Sequence, residues 1–286
     1  MEKILVTTDF SGNALKAITY ASEIAQKSGA VIYLLHVLEP AINMVNGQAD
    51  LYRDEIVKEK LEQLRVSQKS INAVYPGLIV HIELSRGTTI TSILAFAEKQ
   101  KVDLIVMGTT GATGFKEYFM GSVAAGVISK TKTPVLTVPA SYEMEEPAAI
   151  LLATNQFEKN RNILDKVVTI AKLFSSLVHV VVFKNTDADE NADFIYNEEQ
   201  LNRYLEFLKD LFPEVIFKGQ LLEGENFEIT IDRYCNRNEI DIIAMITYPK
   251  SVIEKIFTKS VTKRMAFHST IPILAIPAIS PDSTPG

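Results

Sequence analysis

The chain has 286 residues, 47% hydrophobic and 22% charged, with a formal charge of −6 and one cysteine. Such a composition describes a globular chain long enough for two ordinary domains and excludes a disordered one. The charge argues against nonspecific nucleic-acid binding, which needs concentrated Lys and Arg. No apolar run approaches the roughly 20 residues that span a bilayer. The lone Cys235 rules out an internal disulfide.

Ile4-Leu-Val-Thr-Thr reads as a short strand ending at Asp9-Phe-Ser11. Ser11 is a natural helix N-cap, and Ala14, Ile18, Ala21 and Ala25 then recur on one helical face until Gly29. Val31 to Val37 is almost continuously apolar, as in a parallel strand buried on both faces. Glu39 to Asp50, with Pro40 and Asn46-Gly47, reads as a long loop, and a charged helix is expected over Leu51–Val74. A third strand is expected over Leu78–Leu84. Arg86-Gly87 then turns the chain into a helix with Ile90, Ile93, Leu94 and Ala97 inward. Leu104–Met107, a glycine-bearing loop, a helix from Gly121 and a last strand, Val135–Val138, complete the first half. Strands separated by helices predict a doubly wound parallel α/β sheet, in which ligands sit beyond the carboxyl ends of the strands near the switch in strand order. Asp9, Val37 and Gly108 fall on that edge.

Ser141 to Pro147 is short, acidic and proline-ended, and reads as a linker between domains at 1–140 and 148–280. After it the pattern restarts. Ile150-Leu-Leu-Ala-Thr-Asn155 answers Ile4 to Asp9, and Asp241-Ile-Ile-Ala-Met245 answers Asp103-Leu-Ile-Val-Met107. Ile271-Pro-Ile-Leu-Ala-Ile-Pro-Ala278 answers Thr133-Pro-Val-Leu-Thr-Val-Pro-Ala140, at the same offset as the preceding pair. This is a tandem duplication.

The chemistry concentrates in Val106-Met-Gly-Thr-Thr-Gly-Ala-Thr-Gly-Phe-Lys-Glu-Tyr-Phe-Met-Gly-Ser-Val123. Glycines let backbone N–H groups approach a phosphate, and a helix N-terminus adds donors and a favourable dipole. Walker and Rossmann spacings are both absent. The glycines taken alone are equally compatible with a plain turn and helix entry. Asp9 taken alone fits a helix cap as well as a ligand contact.

Together, Val-Thr-Thr-Asp-Phe-Ser at the start, a Leu-His-Val strand end, Gly-x2-Gly-x9-Gly-Ser and Thr-Pro-Val-Leu-Thr-Val-Pro resemble the universal stress proteins over nearly all of residues 1–140. The second half resembles them in pattern but not in motif. The resemblance implies a tandem protein whose two doubly wound domains pair through the apolar strands Val135–Val138 and Ile273–Ile276 as an intramolecular pseudo-dimer, with further homodimerisation left open. For the ATP-binding branch it implies a site in the first half. Thr8 and Asp9 would contact adenosine, and the Val37 backbone the adenine edge. Gly108, Gly111, Gly121 and Ser122 would hold ribose and phosphates, and Val123 would add a backbone N–H. Mg²⁺ would enter only with the phosphates.

The second copy departs from this pattern. Gly108 is answered by Ile246, Gly111 by Pro249, Gly121 by Lys259 and Asp9 by Asn155, while Ser122 is answered by Ser260. Proline has no N–H to offer, and side chains stand where backbone must approach phosphate. No equivalent site is expected there, and Lys250 and Lys259 read as solvated charges.

The four histidines, His36, His81, His179 and His268, lack metal-site spacing and are expected to be satisfied strand or surface residues. Cys235 reads as a packing residue. Glu117 is the only carboxylate and Lys116 the only cation in the glycine loop, and no general base is visible, so no catalytic residue and no metal ligand is assigned. The expectation is a cytoplasmic stress-response protein binding ATP or a related adenine nucleotide as a regulatory ligand, without nucleic-acid or membrane partners. The opening Met-Glu-Lys-Ile-Leu-Val enters a strand directly and does not read as a signal peptide. A slow ATPase or autophosphorylating enzyme and a nucleotide-free scaffold remain the alternatives.

Overall fold

A computed structural model describes residues 1–39, 49–109, 121–154, 156–186, 193–248 and 270–278. The chain divides into two compact units, Met1–Ser141 and Tyr142–Gly286. The first contains β1 (Lys3–Thr7), α1 (Gly12–Ser28), β2 (Val31–Leu38), α2 (Ala49–Val74), β3 (Val80–Arg86), α3 (Thr89–Gln100), β4 (Leu104–Gly108), α4 (Ser122–Lys130) and β5 (Val135–Val138). Its strands are parallel in the order β3-β2-β1-β4-β5. The strand order reverses between β1 and β4, which opens a crevice at their carboxyl ends.

Local chemistry explains the boundaries. The Ser11 side chain accepts from Ala14 N and starts α1, and Gly29 ends it in the left-handed region at φ 72°. The third strand begins at Val80, later than the apolar pattern suggests. Gly77 at φ 89° and the Leu78 N–H bond to the Tyr75 carbonyl (3.2 Å) hold Leu78 in the preceding turn. Helix α2 begins at Ala49, inside the expected loop, and residues 40–48 of that loop lie outside the described residues. Of the four inward positions expected on α3, Ile93 and Ala97 are buried and Ile90 and Leu94 only half-buried.

The second unit repeats the plan with β6 (Ala149–Ala153), α5 (Arg161–Phe174), β7 (Leu177–Asn185), α6 (Asp193–Leu211), β8 (Phe217–Gly224), α7 (Phe227–Asn238), β9 (Ile242–Thr247) and β10 (Ile273–Pro277). Its order is β8-β7-β6-β9-β10, again parallel. The duplication extends to single hydrogen bonds. Asp103 Oδ2 accepts from Glu2 N (2.7 Å) and Lys3 N (3.0 Å), and Asp241 Oδ2 accepts from Ala148 N (2.8 Å) and Ala149 N (2.9 Å). In each unit one carboxylate ties the start of the first strand to the start of the fourth.

Cys235 is buried in α7, and burial pushes its thiol up to about 12, so it stays protonated. His179 is buried on β7 with Nδ1 2.8 Å from the Tyr234 hydroxyl. Among the described residues no helix is long and apolar enough to cross a membrane.

Candidate functional site

Strand order dictates where ligand chemistry can gather in the first unit, and the cleft lies there. It has a volume of about 250 Å³ and opens at the carboxyl ends of β1, β2 and β4 and the N-terminus of α4. Thr8, Asp9, Val37, Gly108, Gly121, Ser122 and Val123 all line it, with Leu35, Ile93 and Met107 as apolar wall. Gly111, with the rest of 110–120, lies outside the described residues. Val37 and Gly108 are still within β2 and β4, not past them.

The phosphate end is built by α4. Gly121 is its N-cap, at φ −60° and ψ 154°, and makes no side-chain cap. The amides of Ser122, Val123 and Ala124 therefore have no intrahelical acceptor, and no capping oxygen from residue 121 covers them. Gly121 lines the cleft, and its own N–H donates to the Thr109 carbonyl. This bond holds the start of α4 beside the end of β4. A Cβ at Gly108 would sit 2.7 Å from Asn13 Nδ2 and 2.9 Å from Asn13 Cγ, so a side chain there would displace the Asn13 amide.

The other end is built by the turn after β1. Asp9 is exposed at the cleft, and its Oδ1 accepts from Ser11 N at 3.0 Å; Ser11, not Asp9, caps α1. Phe10 N donates to Thr8 Oγ1 at 3.0 Å, and Phe10 itself lies at φ 66°, a conformation that a bulky side chain adopts only when its surroundings hold it there. Lys60 Nζ stands 5.3 Å from the Phe10 ring centroid. The base of α3 is fixed by Glu39, whose Oε1 accepts from Thr89 Oγ1 (2.6 Å) and Thr89 N (3.2 Å), in place of a side-chain cap from Thr88. The Thr89 hydroxyl, and then its N–H, hold the Glu39 carboxyl below its ordinary value.

Sequence reasoning missed His36 as a cleft residue. It lines the cleft, is 9% exposed, and places Nδ1 2.8 Å from the Thr8 carbonyl. It is thus the satisfied strand histidine that was expected and part of the site as well. Its pKa lies below the ordinary 6.5 because burial outweighs the Thr8 hydrogen bond, with Lys60 lowering it further and Asp9 raising it. A histidine depressed in the folded state stabilises above its unfolded pKa and loses that contribution as pH falls through it. Urea unfolding should therefore show a stability loss between about pH 7 and about pH 5 that is smaller in His36→Asn than in wild type. His179, also lowered by burial, supplies part of the slope that remains.

The second unit carries larger side chains at the equivalent strand positions. By strand register Ile246, 2% exposed, stands at the place of Gly108. Phe183 stands at the place of Val37 and Phe227, like Thr89, opens its helix. These two rings pack edge to face with centroids 5.3 Å apart. Elsewhere in this unit Tyr248 Oη donates to Glu158 Oε2 (2.9 Å) and Tyr204 Oη to the Glu158 carbonyl (2.7 Å). Asn155, Pro249, Lys250, Lys259 and Ser260 lie outside the described residues. Among the described residues no group of three or more His, Cys, Asp or Glu could hold a metal ion.

The first unit is therefore a doubly wound parallel α/β domain with a cleft at its switch point, the Asp9 carboxylate at one end and the first amides of α4 at the other. Residues 1–139 match the sequence profile of the Universal stress protein family. A universal stress protein of Methanocaldococcus jannaschii is 37% identical over 140 residues, covering 48% of this chain and 81% of that protein. A universal stress protein of Synechocystis sp. is 24% identical over 294 residues, 96% of this chain and 99% of that protein. The crystal structure of a universal stress protein from Archaeoglobus fulgidus has a TM-score of 0.71 at 20% identity, with 96% of each chain covered, a likeness of fold. The chain belongs to the universal stress protein family, as a tandem member.

Proposed function

We propose that the first unit binds ATP or a related adenine nucleotide in the β1–β4 cleft as a regulatory ligand. The observation that carries this reading is the bipolar lining of the cleft. Asp9 offers an acceptor for ribose or adenine donors, Leu35, Ile93 and Met107 offer an apolar wall for a base, and the Ser122–Ala124 amides suit phosphate oxygens. The only titratable side chains lining the cleft among the described residues are Asp9 and His36, neither arranged with a nucleophile, so the site is read as a binding site rather than a catalytic one. Mg²⁺ would arrive on the phosphates, and no side chain is assigned to it.

The second unit is a degenerate copy in this reading, with Phe183, Phe227 and Ile246 in the place of ligand. Pairing of the two halves as a pseudo-dimer remains a proposal resting on the apolar sequence of their last strands. A cytoplasmic setting rests on the family and the single cysteine.

Asp9→Ala tests the adenosine end. Loss of one charge-assisted hydrogen bond, about 1.5–3 kcal/mol, should weaken ATP and adenosine alike by roughly 10- to 100-fold in titration calorimetry. An unchanged affinity for both would remove Asp9 from the site.

A further inference from the structure

We infer that His36 is the positioning residue of this cleft: its Nδ1–H holds the Thr8 carbonyl and thereby sets the turn that presents Asp9. The inference rests on the nucleotide reading for its consequence, but its structural half stands without it.

A carbonyl oxygen only accepts, so the 2.8 Å contact places the ring proton on Nδ1 and leaves Nε2 bare. The Thr8 carbonyl lies just past the end of β1, and the Thr8 N–H already donates to the Leu35 carbonyl at 2.9 Å. The two bonds clamp Thr8 to consecutive residues of β2. Thr8 Oγ1 then receives Phe10 N, Asp9 Oδ1 receives Ser11 N, and the Phe10 ring packs on the imidazole with centroids 4.6 Å apart. The left-handed Phe10 is thus held from its own backbone and from the His36 ring.

The second unit supplies an internal control. The register position of His36 is taken there by Val182, which has no donor. Thr154 N still donates to the Val181 carbonyl at 2.9 Å. Its hydroxyl, however, receives Phe157 N at 3.2 Å, one residue further along than the Thr8–Phe10 bond. Where the imidazole donor is missing, the threonine hydroxyl accepts from a different amide, and the aspartate is missing from the sequence with it.

The test uses three variants of the full chain. In His36→Asn the amide nitrogen falls near the Nδ1 position and keeps the donor. In His36→Gln it reaches instead towards Nε2, and His36→Leu keeps only bulk. ATP affinity should stay within about threefold of wild type for Asn and fall at least about tenfold for Gln and Leu, the weight of one lost buried hydrogen bond. In ligand-free protein, nitrogen NMR of the imidazole should show the Nδ1-protonated tautomer. Exchange of the Phe10 and Ser11 amides should accelerate in Gln and Leu but not in Asn. Wild-type affinity and exchange in His36→Leu would reduce His36 to packing, and an Nε2-protonated ring would overturn the inference outright. If wild type binds no ATP, the functional reading falls, while the tautomer and exchange results still decide what His36 does to the turn.

Discussion

Gly121→Asp is expected to weaken ATP binding by at least about 100-fold while leaving the fold as stable as wild type or slightly more so. Position 121 has φ −60° and ψ 154°, so an aspartate enters without backbone strain. As an N-cap its carboxylate would accept from the second or third amide of α4, Val123 or Ala124, and would complement the helix dipole. Those amides are the donors assigned to phosphate. A carboxylate among them both occupies the donors and repels the ligand. Two unit charges about 4 Å apart near a protein surface interact by about 4 kcal/mol, more than the roughly 2.7 kcal/mol that a 100-fold loss requires. Gly121→Ala, without an oxygen or a charge, should change affinity far less. The pair separates capping from bulk in titration calorimetry, and urea unfolding checks that stability is kept. Full ATP affinity in Gly121→Asp would place the phosphates away from α4.

Phe212→Ala should destabilise the second unit by about 3–5 kcal/mol, the usual range for emptying a fully buried phenylalanine site. Phe212 follows α6, is 0% exposed, and has Arg161 over its ring at 5.2 Å. Its backbone is also committed, with Phe212 N donating to the Leu208 carbonyl (2.9 Å) and Val215 N donating to the Phe212 carbonyl (3.1 Å). The ring is fully buried and its backbone is fixed by these two bonds, so its removal leaves a cavity in the core. The measurement is a urea transition monitored in the full chain. Because Phe212 lies outside the first-unit cleft, the folded variant should bind ATP with near wild-type affinity. A loss below about 1 kcal/mol would mean that the site repacks.

The architecture was legible because its signals are local. Ser11 and Gly29 bracket α1 through chemistry confined to a few residues, and the Asp103 and Asp241 repeats sit in strings of matching apolar residues. The cleft was partly legible for the same reason: glycines, a strand end and a helix start are written consecutively from Val106 to Val123. What escaped depends on neighbours across the sheet. Whether His36 faces the turn after β1 follows from the β1–β2 register, which a single strand does not encode. Glu39 capping α3 joins residues on separate elements, and Phe10 carries no sequence mark of its positive φ. The engagement of the Gly121 N–H by Thr109 likewise needs the path between β4 and α4, not its composition.

The two units share a fold, but by strand register Phe183 and Ile246 of the second stand where Val37 and Gly108 of the first stand, and the Phe183 ring packs on Phe227. These side chains, with Pro249 and Lys259 in its sequence, carry the proposal that the second unit takes no adenine nucleotide.

The most direct test is the stoichiometry of adenine nucleotide per chain. Purified protein is saturated with ATP, freed of excess, denatured, and the released nucleotide identified and counted by mass. About one adenine nucleotide per chain in wild type, and none in Gly121→Asp, is the predicted result. Two per chain would contradict the assignment of the second unit, and none in wild type would contradict the nucleotide site itself.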